Sequence, residues 1–156
     1  MLLLYLDQNY LSGLAKRKSA FRGLEPVLKA AIGRRALGVP EAEAHRVESA
    51  PRPDLRLLEL LRELSGGLRL EGREPALERR LRAALERFFP ERPGRRSDAV
   101  DLATLALALP RCRLVTCDAF MADVVRRTAL DVRYRCELYT GRRADVERLT
   151  ARLSAL

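Results

Sequence analysis

The sequence has no apolar run that approaches the roughly 18 residues needed to cross a membrane. Its first apolar stretch, residues 2–6, gives way at once to Asp7, so it is too short and too quickly acidic for a signal peptide. We therefore expect a cytoplasmic protein with no membrane partner. Repeats, low-complexity tracts and linkers are also missing. At 156 residues, with 47% hydrophobic composition, the chain is predicted to form one domain over 1–156 around one core.

Cysteine is scarce and unpatterned. The three cysteines, Cys112, Cys117 and Cys136, form no C-x-x-C pair and have no histidine cluster near them. This set indicates neither a disulfide framework nor a zinc site, and we predict reduced thiols in the core. The sequence also lacks a nucleophilic Ser or Cys constellation and a Gly-rich phosphate loop.

Lysine is nearly absent from a strongly basic chain, which has three lysines and 27 arginines against 21 acidic residues and a formal net charge of +9. A basic surface attracts polyanions and favours a nucleic acid as partner. The preference for arginine over lysine is also what a GC-rich coding sequence produces. Nucleic-acid binding and a GC-rich coding sequence therefore explain the basic composition equally well, and charge alone does not decide between them.

Short apolar segments alternate with amphipathic ones. Strands are predicted at 2–6, 36–39, 113–116 and 132–138. Helices are predicted at 10–18, 24–32, 40–50, 54–64, 73–89, 97–110, 119–128 and 142–153. This alternation predicts an α/β fold with a parallel sheet between helical layers.

Acidic residues follow two of the predicted strands directly. Asp7 ends the first strand, and Asp118 comes just after 113–116. Because the carboxyl ends of parallel strands border the ligand crevice of such a sheet, we expect both acids at one edge. Asp98 and Asp101 lie three residues apart near the start of a buried helix, on one helical face.

A structural interpretation competes with the functional one for each acid. Aspartate is a favoured helix N-cap worth about 0.5–2 kcal/mol, so Asp7, Asp98 and Asp118, taken singly, are explained as caps. Glu48, like Glu41 and Glu43 nearby, is explained as part of a solvated helix face. His45, the only histidine, is more often a packing residue than a catalytic one.

Several acids at predicted strand-to-helix junctions on a basic chain favour the functional interpretation over the structural one. Clustered carboxylates raise one another's pKa unless a cation neutralises them. Oxygen ligands suit Mg²⁺ or Mn²⁺, which lower the pKa of a bound water and clamp phosphate oxygens. The pattern therefore indicates phosphodiester hydrolysis.

Three segments, in this order, resemble the PIN-domain nucleases. They are YLDQN at 5–9, AHRVES at 44–49 and SDAVDLATLALALPRCRLVTCD at 97–118. The resemblance covers essentially the whole chain. It implies a three-layer α/β/α sandwich with a central, mainly parallel sheet of about five strands. It also implies a Mg²⁺- or Mn²⁺-dependent endoribonuclease that acts on RNA.

The resemblance also implies roles for individual residues. It places catalytic acids at Asp7, Glu48, Asp98 and Asp118, and metal ligands at Asp7, Asp98, Asp101 and Asp118. It places supporting polar groups at Asn9, His45 and Thr116, with His45 contacting the substrate or holding Glu48. Arg95 and Arg96, just ahead of Asp98, would bind RNA phosphates.

Two choices stay open at the site. Glu41, Glu43 and Glu48 compete for the role of second acid, because Pro40 and Glu41 stand where the family usually has a serine or threonine. Asp98 and Asp101 compete for the role of primary ligand.

The biological role also stays open. Many PIN proteins are the toxin of a toxin–antitoxin pair and others process ribosomal RNA, so an antitoxin protein and a homodimer are both compatible partners. A catalytically silent RNA- or partner-binding domain is the main alternative. A phosphatase with Asp7 as its nucleophile is less favoured, because that class has a second aspartate where this chain has Asn9.

Overall fold

A four-stranded parallel sheet organises the chain in a computed structural model that describes residues 1–156. The strands are β1 (Leu2–Tyr5), β2 (Leu37–Gly38), β3 (Leu114–Thr116) and β4 (Glu137–Tyr139), in the order β2-β1-β3-β4. Leu4 pairs with Leu114, and Val115 pairs with Leu138. Since every pair is parallel, all carboxyl ends lie at one edge.

Nine α-helices connect and flank the strands. They are α1 (Gln8–Ala15), α2 (Leu24–Gly33), α3 (Glu43–Ser49), α4 (Leu57–Ser65), α5 (Pro75–Phe88), α6 (Arg96–Ala108), α7 (Ala119–Arg127), α8 (Leu130–Tyr134) and α9 (Arg143–Ser154). Two 3₁₀ turns cover Ser19–Phe21 and Pro53–Leu55. None of the helices combines the length and the apolar character needed to span a membrane.

Side chains of the central strands alternate between two apolar cores, one on each face of the sheet. Leu4 and Leu114 belong to the core formed with α1, α2, α4 and α9. Tyr5 and Val115 belong to the core formed with α5, α6, α7 and α8. The predicted α/β class is therefore confirmed, and helices on both faces are consistent with a three-layer α/β/α sandwich. All three cysteines are buried and free, as predicted.

The expected number of about five strands is wrong, because the sheet has four. Beyond β2 the chain makes one further parallel bridge, between Glu41 and Arg69. The Glu41 N–H donates to the Leu68 carbonyl at 2.8 Å, and the Leu70 N–H donates to the Glu41 carbonyl at 2.7 Å. This pairing is one residue long, so it does not become a strand. It also holds 40–42 extended, and α3 begins at Glu43 rather than at Pro40.

The predicted strand at 132–138 is largely wrong. Its first residues belong to α8, and only the end of the segment enters β4. Val132, whose β-branched side chain favoured a strand, is 73% exposed on the outer face of this short helix. Arg135 ends the helix in the left-handed conformation with φ of 54° and turns the chain into β4.

Gly13 allows α1 to approach the 3₁₀ turn closely. A Cβ at this position would lie 2.6 Å from two ring carbons of Phe21. Phe21 is buried and packs edge-on against Tyr10 at a centroid distance of 5.2 Å. The ring therefore has little room to move.

Replacing Gly13 by alanine is expected to lower the free energy of unfolding by about 1–3 kcal/mol, because overpacking outweighs the helix propensity gained. Gly33→Ala is the matched control, since its added Cβ would meet no atom within 4 Å. Urea denaturation of both variants measures the difference. A Gly13→Ala protein as stable as the Gly33→Ala protein would contradict the close approach.

Candidate functional site

The site lies where β1 and β3, neighbours in the sheet, end side by side. Asp7 is the N-cap of α1, and its Oδ1 accepts from the Tyr10 N–H at 3.2 Å. Asp118 is the N-cap of α7, and its Oδ1 accepts from the Met121 N–H at 2.7 Å. Both acids therefore cap helices and stand at the same sheet edge, as predicted from the strand ends.

Thr116, the last residue of β3, fixes Asp7 across the strand pair. Its hydroxyl accepts from the Asp7 N–H at 2.7 Å and donates to Asp7 Oδ1 at 2.9 Å. Thr116 is fully buried. The hydroxyl thus couples the backbone and the carboxylate of Asp7 to the neighbouring strand.

Four carboxylates line one cavity of about 240 Å³, which we call the acidic pocket: Asp7, Glu48, Asp101 and Asp118. They come from the ends of β1 and β3, from α3 and from α6. Six residues with polar side-chain atoms also line it: Tyr5, Gln8, Asn9, Ser97, Thr104 and Thr116. The structure therefore brings together acids separated by up to about 110 residues of sequence.

The acidic pocket carries negative charge that no basic side chain neutralises by an ion pair. Burial, followed by the charges of Asp101 and Asp7, raises the pKa of Glu48 to about 7. Burial, followed by the charges of Asp118, Asp98 and Asp7, raises the pKa of Asp101 to about 6. Burial also raises the pKa of Asp7, against the opposing hydrogen bonds from Thr116 and Tyr10.

Asp98, predicted as a metal ligand, does not line the acidic pocket. Arg92 binds both of its oxygens, with Nη1 2.6 Å from Oδ2 and Nη2 3.1 Å from Oδ1. The Arg95 N–H also donates to Oδ2, at 3.0 Å. The Arg92 guanidinium is the main cause of the lowered pKa of Asp98. Asp98 therefore stabilises the loop before α6 through its bonds to Arg92 and Arg95. Asp101, one helical turn later, lines the acidic pocket.

His45, predicted as a supporting polar group, does not line the acidic pocket. It is fully buried. Its Nδ1 accepts from the Ala42 N–H at 2.9 Å, so the proton lies on Nε2, which donates to the Leu6 carbonyl at 2.7 Å. It makes no hydrogen bond to Glu48. Burial lowers the pKa of His45 and keeps the ring neutral.

Of the three candidates for the second acid, only Glu48 lines the acidic pocket. Glu41 and Glu43 border a different cavity, of about 710 Å³, between α3, the 69–74 segment, α5 and α6. The Glu41 carboxylate accepts from the Ser65 hydroxyl at 2.7 Å. Glu43 is exposed.

The other predicted site residues lie at the rim. Asn9 lines the acidic pocket but is exposed, and its side chain makes no hydrogen bond to the acids. Arg95 and Arg96 are exposed, form no ion pair and precede Ser97 in the pocket lining. They are exposed basic side chains immediately ahead of the pocket residue Ser97, and no acid neutralises them.

The donor set of the acidic pocket fits a hard divalent cation in its chemistry. Its charged ligands are all carboxylate oxygens, which Mg²⁺ and Mn²⁺ prefer. No three or more of the His, Cys, Asp and Glu side chains converge closely enough to hold a metal ion together. Mg²⁺ commonly uses one or two carboxylates and completes its octahedron with water, so a fully convergent set is not required.

Sequence reasoning missed two contributors. Tyr5, the last residue of β1 and two residues before Asp7, lines the acidic pocket. The signal was available, because a tyrosine is the only polar-tipped side chain in an otherwise apolar strand. Arg92 decides which of two aspartates is free, and nothing in the loop at 90–96 distinguishes it from Arg95 or Arg96.

Replacing Glu48 by glutamine is expected to raise the free energy of unfolding at about pH 8 by about 1–2 kcal/mol, allowing for solvent screening, and to change it little at about pH 5. The folded pKa of about 7 lies above the ordinary value of 4.5. The folded protein therefore holds a proton that the unfolded chain has released, and stability falls as pH rises between these values. Urea denaturation at both pH values measures the effect.

His45 acts with the opposite sign, because burial lowers its pKa below the ordinary value of 6.5 and the folded state loses stability as pH falls below that value. Both proteins contain His45, so its contribution cancels in their difference. Asp123→Asn, at an exposed ion pair with Arg127, is the control. An effect of Glu48→Gln that is equal at both pH values would contradict the raised pKa.

The acidic motifs of the sequence fall on separate elements of the fold. Acids follow β1 and β3, and further acids lie in α3 and α6. Each motif spans only a few residues. Comparison of the chain with protein-family models, with curated proteins and with solved structures finds no match.

Proposed function

We propose that this protein is a Mg²⁺- or Mn²⁺-dependent endoribonuclease of the PIN type that hydrolyses RNA phosphodiester bonds in the acidic pocket. The observation that carries the proposal is the set of four carboxylates in one pocket, none of them ion-paired, on a chain of net charge +9. Such a pocket stays charged at low cost only with a cation in it.

Asp7, Asp101 and Asp118 are the residues that would hold the ion. When bound, the ion would activate a water and neutralise charge on the phosphate. Thr116 fixes the Asp7 carboxylate, and the helix caps fix one oxygen each of Asp7 and Asp118. The remaining oxygens are available to the pocket.

Glu48 is suited to accept the proton of the attacking water. Its carboxylate lines the pocket opposite the strand ends, on α3, and makes no hydrogen bond to the protein. A general base works best when its pKa lies near the working pH, and burial raises the pKa of Glu48 to about 7.

Arg95 and Arg96 would bind phosphates that flank the cleaved bond. Both stand at the N-terminus of α6, immediately before the pocket residue Ser97. Contacts of this kind set affinity and salt dependence rather than sequence preference.

A catalytically silent RNA- or partner-binding domain is the second candidate. It is favoured by the helix caps at Asp7 and Asp118 and by the absence of three side chains that converge on a metal position. On this alternative the basic surface binds RNA or a partner, and the acids only stabilise helices. A toxin with an antitoxin partner, a processing nuclease and a homodimer are all compatible with the first proposal.

Cleavage of a labelled, mostly single-stranded RNA is expected with Mn²⁺ or Mg²⁺ and is expected to cease in chelator. Asp7→Asn and Asp101→Asn should each lower the rate by about a hundredfold or more, since an ion supplies several kcal/mol to the transition state. Asparagine caps helices as well as aspartate, so Asp7→Asn should melt no lower than the wild type. A gel assay and thermal melting measure both.

Asp98→Asn is the discriminating variant in this assay. It should melt lower, because Arg92 loses a paired carboxylate, and should retain cleavage. Loss of cleavage in an Asp98→Asn protein that melts like the wild type would make Asp98 the ligand instead. A wild type that binds RNA in chelator and cleaves nothing with Mn²⁺ would favour the silent domain.

The Arg95→Gln/Arg96→Gln double variant is expected to bind single-stranded RNA more weakly and with a salt slope reduced by about 1.4, at about 0.7 per phosphate contact. Arg34→Gln/Arg35→Gln is the matched control, an exposed adjacent pair between α2 and β2, near the amino ends of the strands. Fluorescence anisotropy at several salt concentrations measures both. Equal slopes for the two variants would contradict the assigned phosphate contacts.

A further inference from the structure

Tyr5 carries a hydroxyl that has no hydrogen-bond partner in the protein, although the residue is only 4% exposed. Its ring is held firmly, because it stacks on His45 at a centroid distance of 5.2 Å and an interplanar angle of 23°. His45 is itself fixed by its hydrogen bonds to the Ala42 N–H and to the Leu6 carbonyl. The position of the Tyr5 hydroxyl is thus set by the fold.

Tyr5 borders the acidic pocket, and its hydroxyl is not fully enclosed by protein. Asp131 Oδ1 is the only fully enclosed side-chain nitrogen or oxygen without a partner. The Tyr5 oxygen is therefore not sealed in the core, and Tyr5 lines the acidic pocket. An O–H group that borders a pocket and has no partner in the protein is free to donate to a ligand that binds there.

The chemistry of the pocket indicates which ligand that is. All four carboxylates are acceptors when ionised, so a ligand rich in oxygen finds few donors among them. An arginine or lysine here would pair with the carboxylates and cancel the charge that attracts a cation. A neutral phenol donates a hydrogen bond without forming an ion pair. It therefore suits an anionic oxygen that enters together with a cation.

We propose that the Tyr5 hydroxyl donates a hydrogen bond to a non-bridging oxygen of the phosphodiester group bound in the acidic pocket. This inference rests on the proposed function, since it takes an RNA phosphate as the ligand. Charge on that oxygen increases as the phosphorus is attacked, so the hydrogen bond strengthens in the transition state. Tyr5 is on this account a catalytic residue.

Tyr5→Phe tests the proposal, because it removes one oxygen and keeps the ring that stacks on His45. No protein group loses a partner, so the variant should melt at or above the wild-type temperature. With Mn²⁺ and single-stranded RNA, kcat should fall by about a hundredfold and KM should rise by about tenfold, since the hydrogen bond is also present in the ground-state complex. Tyr134→Phe is the control, since Tyr134 lies on α8 outside the pocket and also lacks a side-chain hydrogen bond.

A binding measurement keeps this inference separate from the nuclease proposal. If the wild type binds RNA but cleaves nothing with Mn²⁺ or Mg²⁺, anisotropy of a fluorescent single-stranded RNA with Ca²⁺ should still show about tenfold weaker binding for Tyr5→Phe than for Tyr134→Phe. That outcome would support the Tyr5 contact and overturn the nuclease.

Cleavage by the wild type together with an unchanged kcat in Tyr5→Phe would support the nuclease and overturn the Tyr5 contact. A wild type that cleaves nothing and binds the RNA no better than Tyr5→Phe does would overturn the contact.

Discussion

The hydroxyl of Thr116 joins the two central strands at the edge of the acidic pocket. It binds the N–H and the carboxylate of Asp7, 109 residues away in sequence. This contact exists only if β1 and β3 are parallel neighbours in a fixed register, with Tyr5 opposite Val115. The pairing that closes the sheet therefore also orients Asp7, and α1 and α7 start from that edge.

Opposing demands on charge shape the rest of the site. The chain is basic overall, and many of its acids form ion pairs with arginine, as Asp98 does with Arg92. The four acids of the pocket are kept out of such pairs, and burial raises the pKa of three of them. The burial and mutual repulsion of these acids oppose folding, although Asp7 and Asp118 also cap helices. A ligand that brings positive charge would recover the cost, which is why the pocket is the candidate site.

The residues that sequence reasoning could place are those set by local pattern. Buried parallel strands have a distinct apolar signature, so Asp7 and Asp118 could be assigned to one sheet edge. Which of Asp98 and Asp101 lines the pocket could not be predicted from the sequence. It depends on Arg92, whose position is set by the folded loop. The strand predicted at 132–138 was largely wrong for a related reason. Val132 has strand propensity but lies on a solvent-exposed turn of helix. Tertiary context overrides propensity in such short elements.

The double use of Asp7 and Asp118, as helix caps and as pocket acids, affects how the protein can change over generations. Aspartate and asparagine codons differ by one base, and asparagine caps a helix equally well. One such mutation would neutralise a pocket acid while leaving the fold and its abundance intact. Selection for stability would not remove it, and a single reversion would restore the carboxylate. Lineages carrying this fold could therefore gain and lose charged pockets without passing through an unfolded intermediate.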